Sequence, residues 1–188
     1  MLPEDKMPEA EVTLRLAIAI IEEGHANSSV VAAIDGAQVK TGSTVHFPIV
    51  EFLNTHGWFG NDQSGRWQCT YKNGKYSQSI VVHSSSGGGD LVAQLENNLT
   101  LRVESKKGPL LRSKSSQEYP LIREAIGQLM TIEKAEANDI LAVAVPHSEK
   151  FENLAFQWRE RPLMKKAGIH IVTIDRNNKI RGLENVGI

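Results

Sequence analysis

The chain has 188 residues, of which 40% are hydrophobic, and this is enough for one domain with a substantial core. Its 21 Lys and Arg residues against 22 Asp and Glu residues give a net charge of −1, which excludes a global positive field that would hold the chain on nucleic acid or an anionic membrane. The single cysteine, Cys69, excludes an internal disulfide and a thiolate metal cluster.

The sequence also argues against a membrane protein. Its longest uninterrupted apolar run, Leu16 to Ile21, is far shorter than the ~20 residues that cross a bilayer. Glu4 and Asp5 stand where a secretory signal peptide would be basic. We therefore expect a cytoplasmic protein, associated with the nucleoid at most, with no membrane partner.

The N-terminal quarter is predicted to be helical. Apolar residues recur with helical spacing between Leu14 and Ile21 and predict a helix over residues 9–23, ended by Gly24. Two further helices are predicted over residues 28–40 and 45–56. The predicted organisation is a helical N-terminal extension, residues 1–41, and a main domain, residues 42–188.

From Arg66 onward the apolar period changes from helical to alternating, which predicts strands. The predicted order is a hairpin within 67–83, strands 90–96 and 99–105, helix 118–135, strand 140–145, helix 149–166 and strand 169–174. Hairpins followed by alternating strands and helices predict an α/β fold with three layers, α/β/α, and a mixed central sheet.

One group of charged residues in this pattern is a candidate catalytic site. Asp90 opens one strand, and Glu104 and Lys106 close the next, two residues apart. Side chains at i and i+2 share a face of a strand, so a carboxylate and an ammonium would project together. Two carboxylates at this edge would form a hard oxygen site suited to Mg²⁺, with a lysine beside it.

The length of the intervening loop decides whether these carboxylates meet. A two-residue loop would place Asp90 opposite Ser105, with its side chain on the other face from Glu104. A three-residue loop over 96–98 would pair Asp90 directly with Glu104. We therefore predict an odd-length loop, or a bulge near Asp90.

The runs Gly88–Ala93 and Leu101–Lys107 resemble the PD-(D/E)xK nuclease superfamily, and residues 42–58 are similar to the first helix of archaeal Holliday-junction resolvases. Gly89 stands where the superfamily often has proline before the aspartate. His46 stands where the resolvases have a metal-associated glutamate. The resemblance extends from residue 42 to about residue 181.

This resemblance implies a restriction-endonuclease-like core and a deoxyribonuclease that depends on Mg²⁺ or Mn²⁺. Asp90 and Glu104 would bind the metal, assisted by the Ser105 carbonyl. Lys106 would position or activate water. His46 would be a site residue of the first helix, either as a metal ligand or in contact with phosphate.

Gln128 is a further candidate, because it falls on the apolar stripe predicted for the helix 118–135. A buried glutamine needs a hydrogen-bonding partner. By resemblance, Gln128 would support the active site. The alternative is a glutamine at the edge of the stripe that bonds to the backbone.

Basic residues cluster after the second site strand. Between positions 102 and 114 there are five basic residues and one acidic residue. Such an edge is suited to contact with DNA phosphates, although charge runs are more often solvated loops. The predicted nucleic-acid contacts other than Lys106 are Arg102, Lys107, Arg112 and Lys114.

These features favour a DNA endonuclease of the restriction, repair, recombination or mobile-element type. A single small nuclease domain cuts one strand at a time, so cleavage of both strands would favour a homodimer or a subunit of a larger complex. The alternative is a catalytically inactive nuclease-fold subunit that binds nucleic acid or assists assembly.

Overall fold

The structure is a computed structural model that describes residues 3–62, 64–85, 87–96, 98–111, 117–133 and 135–186. The helices are α1 (Glu9–Glu22), α2 (Gly36–Val39), α3 (Ile49–Thr55), α4 (Glu118–Leu129), α5 (Glu149–Arg159) and α6 (Pro162–Ala167), followed by a 3-10 helix at Leu183–Val186. The strands are β1 (Lys6–Met7), β2 (Val30–Ala33), β3 (Lys40–Thr41), β4 (Thr44–Val45), β5 (Phe59–Gly60), β6 (Thr70–Lys72), β7 (Ser79–His83), β8 (Leu91–Gln94), β9 (Thr100–Ser105), β10 (Gly108–Pro109), β11 (Asp139–Pro146), β12 (Ile169–Ile174) and β13 (Ile180–Arg181).

A central sheet organises the described part of the chain, with nine strands in the order β13-β12-β11-β9-β8-β2-β7-β6-β5. Strands β9, β11 and β12 are parallel to one another, as are β2 and β7. Strand β8 is antiparallel to both of its neighbours, β9 and β2. The predicted α/β class with a mixed sheet is therefore confirmed.

Helices cover both faces of this sheet. Along β11, Ala142 and Ala144 belong to the core that contains α1, whereas Val143 and Val145 belong to the core that contains α4 and α5. Successive side chains of a strand point to opposite faces, so α1 lies on one face and α4 with α5 on the other. The nearly unbroken apolar sequence of β11 is typical of a strand that is buried on both faces.

The N-terminal region belongs to the core, which corrects the predicted extension over residues 1–41. Helix α1 is buried from Ala10 to Ile21 and packs against β2, β8, β9, β11 and β12. Strand β2 lies inside the central sheet, between β8 and β7. A boundary at residue 41 would divide one sheet and one core.

The predicted helix over residues 28–40 is wrong. The β-branched pair Val30 and Val31 favours a strand, and both residues lie in β2. Only residues 36–39 are helical, and the Asp35 side chain caps them by accepting a hydrogen bond from the Ala37 N–H at 2.9 Å.

Two other predicted helices also differ from those observed. The helix predicted over 45–56 begins only at Ile49, because Thr44 and Val45 pair with β3. The helix predicted over 149–166 is two helices, since Pro162 starts α6 and its ring cannot continue α5. The predicted start of α4 at Glu118 and the predicted bounds of β12 are confirmed, but α4 ends at Leu129 and not at residue 135.

Of the helices described between residues 3 and 186, none combines the length and apolar character required to cross a membrane.

A buried ion network fixes α1 to the end of the sheet. Glu11 is fully buried, and its carboxylate lies 2.8 Å from Arg15 Nε and 3.1 Å from Arg176 Nε. Arg15 Nη1 also donates to the carbonyl of Arg176, at 2.6 Å. Residue 176 follows β12, so one acid joins the helix to the chain that leaves the sheet.

Replacing Glu11 by alanine should destabilise the protein by about 3–5 kcal/mol, because two arginines would lose a buried counter-ion. Thermal unfolding would show this as a large fall in Tm. The matched control is Glu22→Ala, an exposed acid on the same helix, which should stay within about 0.5 kcal/mol of the parent. Equal Tm values for the two variants would contradict a stabilising role of the network.

Candidate active site

The register of one hairpin brings two carboxylates together. Strands β8 and β9 are antiparallel, with Leu91 opposite Val103. Continued by one residue, this register places Asp90 opposite Glu104, on the same face of the sheet. The connection over residues 96–98 has three residues, so the predicted odd-length loop is confirmed. Residue 97 itself lies outside the described part of the chain.

Gly89 allows the chain to enter β8 beside Asp90. Its φ is +99°, and a Cβ at this position would lie 2.9 Å from the Val103 carbonyl oxygen. Glycine has no Cβ and accepts positive φ, whereas proline fixes φ near about −65°. This conformation excludes the proline that the PD-(D/E)xK superfamily often has at this position.

The two carboxyl groups are held by the backbone and by each other. The Ser105 N–H donates to Asp90 Oδ2 at 2.8 Å, and Asp90 also hydrogen-bonds to the Glu104 side chain. The N–H and C=O of a strand residue point to the same side, so the Ser105 carbonyl also faces the Asp90 side of β9. Its predicted role as a metal ligand stays a prediction.

Burial of this pair changes its acid–base chemistry. Loss of hydration, together with repulsion from Glu9, raises the pKa of Asp90 to about 6. Loss of hydration and the charge of Asp90 raise the pKa of Glu104 to about 7. Lys106 opposes both shifts, since its positive charge favours the ionised carboxylates. The pair therefore loses its protons between about pH 6 and pH 7, well above the range of ordinary carboxyl groups.

Lys106 lies between acids from two helices. Its side chain is buried, and Nζ is 3.7 Å from Glu9 Oε2 on α1 and 3.4 Å from Glu124 Oε1 on α4. No pattern in the sequence singles out either acid. A glutamate in the first turn of a helix is normally explained by the helix dipole alone, and Glu124 is one of several charged residues along α4. Their approach to Lys106 depends on tertiary packing.

A cavity of about 1300 Å³ opens onto this lysine. Glu9, Gln38, Lys106 and Glu124 contribute to its walls, whereas Asp90 and Glu104 are not among the lining residues. The cavity therefore reaches the lysine side of the site, while the carboxylate pair lies behind its lining residues.

His46 and Gln128 also line this cavity, but neither lies where it was predicted. His46 is exposed and precedes α3, rather than lying within a helix. Gln128 is exposed as well, so its predicted position on the buried stripe of α4 is wrong. The buried apolar residues of α4 are Ile122, Ala125 and Leu129, so Leu129 and not Gln128 lies on the buried stripe. The roles of both residues in the site stay predictions.

The predicted nucleic-acid contacts have different environments. Lys107 is exposed and lines the cavity. Arg102 is engaged within the protein, because its Nε donates to Asp139 Oδ2 at 2.7 Å and joins β9 to β11. Arg112 and Lys114 lie outside the described residues.

The donor set fits a small divalent cation. Within the described ranges, no group of three or more His, Cys, Asp and Glu side chains is arranged to hold a metal ion. Mg²⁺, however, is commonly bound through one or two carboxylates, with waters and substrate phosphates as its other ligands. Asp90 and Glu104 supply two such carboxylates in direct contact. These two residues would hold the cation, with Glu9 nearby.

No family model matches this chain, and comparisons with curated proteins and with solved structures find no match.

Substitution of Gly89 by alanine should destabilise the protein by about 1–3 kcal/mol and displace Asp90, since the change adds strain at positive φ and a close approach to the Val103 carbonyl. The matched control is Gly87→Ala, at φ +121° with nothing within 4 Å of the added Cβ. Urea unfolding of both variants would separate the contact from the strain. Equal stabilities would contradict the role assigned to the close approach.

Without divalent cations, the carboxylate pair should make stability fall as pH rises. Folding raises the two pKa values from 3.8 and 4.5 to about 6 and 7. The folded chain therefore binds more protons in this window, and the stability conferred by the protonated pair is present below pH 4 and lost towards pH 7.

Glu104→Gln should weaken this dependence of stability on pH. At pH 8 it should raise the free energy of unfolding by about 1 kcal/mol after solvent screening, which corresponds to a rise in Tm of about 2–4 °C. Glu96→Gln, in the exposed hairpin loop, is the control and should behave like the parent protein. Thermal unfolding in EDTA from pH 4 to 8 measures both. A parent Tm that rises between pH 5 and 8, with the same slope in Glu104→Gln, would contradict the coupling.

Proposed function

We propose that this chain is a divalent-cation-dependent nuclease that hydrolyses DNA phosphodiester bonds. The observation that carries the proposal is the meeting of Asp90 and Glu104 across one strand pair, with Lys106 two residues further along the same strand. Carboxylates that bind a cation, next to a lysine, form a donor set suited to phosphodiester hydrolysis.

The finer fold assignment belongs to the same proposal. A mixed sheet with α1 on one face and α4 with α5 on the other is compatible with a restriction-endonuclease-like core. The resemblance places a metal-associated glutamate on the first helix, at the position of His46. We assign to Glu9, rather than to His46, the role of an acid beside the site that adds negative charge, since its carboxylate lies near Lys106 and its charge raises the pKa of both Asp90 and Glu104.

Hydrolysis adds water across a P–O bond. The water oxygen bonds to phosphorus, the bond to the leaving oxygen breaks, and the leaving oxygen gains a proton, which yields a phosphate monoester and a hydroxyl group. A bound Mg²⁺ or Mn²⁺ would lower the pKa of a ligated water and neutralise charge on the phosphate.

The protein groups have separate tasks in this reaction. Asp90, held by the Ser105 N–H, and Glu104 form the anionic face that binds the cation. Lys106 directs its ammonium to the cavity that admits substrate, where it orients water or stabilises charge on the phosphate. Glu9 and Glu124 restrain this ammonium from two sides.

A second candidate is a nucleic-acid-binding or assembly subunit with this fold and no cleavage activity. The observation that favours it is the absence, among the described residues, of a group of three or more metal-ligating side chains. An exposed Lys107 at the cavity would serve binding in either case.

The test is cleavage of supercoiled plasmid, single-stranded DNA and branched DNA by the purified protein with Mg²⁺, Mn²⁺ or EDTA. Parent protein should cut only with a divalent cation. Lys106→Ala should cut about 10²–10³-fold more slowly. Lys107→Ala should retain cutting and lose affinity, with a weaker dependence on salt.

Cutting in EDTA, or an unimpaired Lys106→Ala variant, would contradict the assigned site. Binding of DNA by the parent protein without cutting on any substrate would favour the second candidate.

A further inference from the structure

Gln38 makes a short hydrogen bond to the carboxylate that α1 presents to the site. Its Nε2 donates to Glu9 Oε1 at 2.8 Å, while the other oxygen, Oε2, is 3.7 Å from Lys106 Nζ. The first distance is that of a normal N–H···O hydrogen bond, and the second exceeds the usual limit of about 3.2 Å. Glu9 is thus hydrogen-bonded to the amide through one oxygen and forms only a longer ion pair with the ammonium through the other.

The fold places Gln38 for this contact through three local features. Strand β2 ends beside β8 at the same edge of the sheet as Asp90, whose carbonyl accepts a hydrogen bond from the Ala33 N–H at 2.8 Å. The Asp35 cap then starts α2, and α2 packs on α1. Gln38 is half-buried and lines the cavity with Glu9 and Lys106.

An uncharged donor at this position has a specific advantage. A lysine or arginine would neutralise Glu9 and reduce the negative charge available to a cation. The amide of Gln38 satisfies one oxygen and leaves the charge in place. It also opposes the movement of Glu9 towards Lys106, the nearest cation.

We infer that Gln38 is a positioning residue, which orients Glu9 towards the cation site and keeps it from closing onto Lys106. This inference rests on the proposed function. Without the amide, Glu9 Oε1 loses its donor and the carboxylate pairs directly with Lys106. The site then loses the charge of Glu9, and Lys106 is held more tightly away from substrate.

The experiment is a double-mutant cycle with Gln38→Leu, Glu9→Gln and the combined variant, using full-length protein and no DNA. The readout is the Mn²⁺ concentration that gives half of the maximal rise in Tm. Residues that hydrogen-bond to the ligands of a metal typically contribute about 10–100-fold to metal affinity, so Gln38→Leu should raise this midpoint about 10-fold. The combined variant should be no worse than Glu9→Gln alone, because Gln38 acts through Glu9.

Gln157→Leu, the same change at an exposed position of α5, is the matched control and should keep the parent midpoint. Gln38→Ala removes the same donor and serves as the second variant if leucine prevents folding. Additive effects in the cycle, or a parent-like midpoint in both Gln38 variants, would overturn the inference.

The absence of DNA from this experiment separates the two proposals. A parent protein that binds Mn²⁺ and shows the non-additive cycle, yet cuts no DNA, would support the role of Gln38 and overturn the nuclease proposal. A parent protein whose Tm does not respond to Mn²⁺ would overturn the inference about Gln38. If the parent cuts DNA, Gln38→Leu should also require about 10-fold more Mn²⁺ for half-maximal cleavage.

Discussion

The antiparallel register between β8 and β9 is the constraint on which the candidate site depends. A shift by one residue would carry Asp90 to the opposite face of the sheet from Glu104. Backbone contacts hold this register: the strands are joined by a three-residue connection, Gly89 passes close to the Val103 carbonyl, and the Ser105 N–H bonds to Asp90. Main-chain geometry therefore fixes the position of the carboxylates, and the side chains of the surrounding loops are not needed to hold it.

The register brings two like charges together in a poorly hydrated part of the protein. This lowers the free energy of unfolding, and other interactions in the fold must offset the loss. Asp90 and Glu104 repel each other when both are ionised, and Glu9 adds to that repulsion. Helix α1 supplies much of the compensating stability, since its apolar residues are buried against five strands of the sheet. The same helix thus stabilises the domain and contributes Glu9, whose charge adds to the repulsion between the two carboxylates, a combination common at functional sites.

Patterns in the sequence predicted those structural features that depend on interactions between residues close together in the chain. Strand β12 and the start of α4 follow from apolar periods, whereas the three-residue hairpin loop is predicted only by the requirement that Asp90 and Glu104 share a face of the sheet. The short run in β2 was misread because periodicity does not distinguish a brief buried strand from a helix. Asp90, Glu104 and Lys106 could be placed together because one hairpin contains them. Glu9 and Gln38 could not, because only packing of α1 and α2 at the sheet edge brings them to that hairpin.

The burial of α1 against β9, β11 and β12 has a consequence for how the protein is made. This helix leaves the ribosome before the strands that cover its apolar surface, because all of them follow it along the chain. Parallel strands joined by distant segments also pair slowly, because long loops must close first. The apolar surface of α1 therefore stays uncovered in the nascent chain until these strands have emerged. Glu9 and Lys106 also come together only when α1 packs on strands that lie far from it in the sequence.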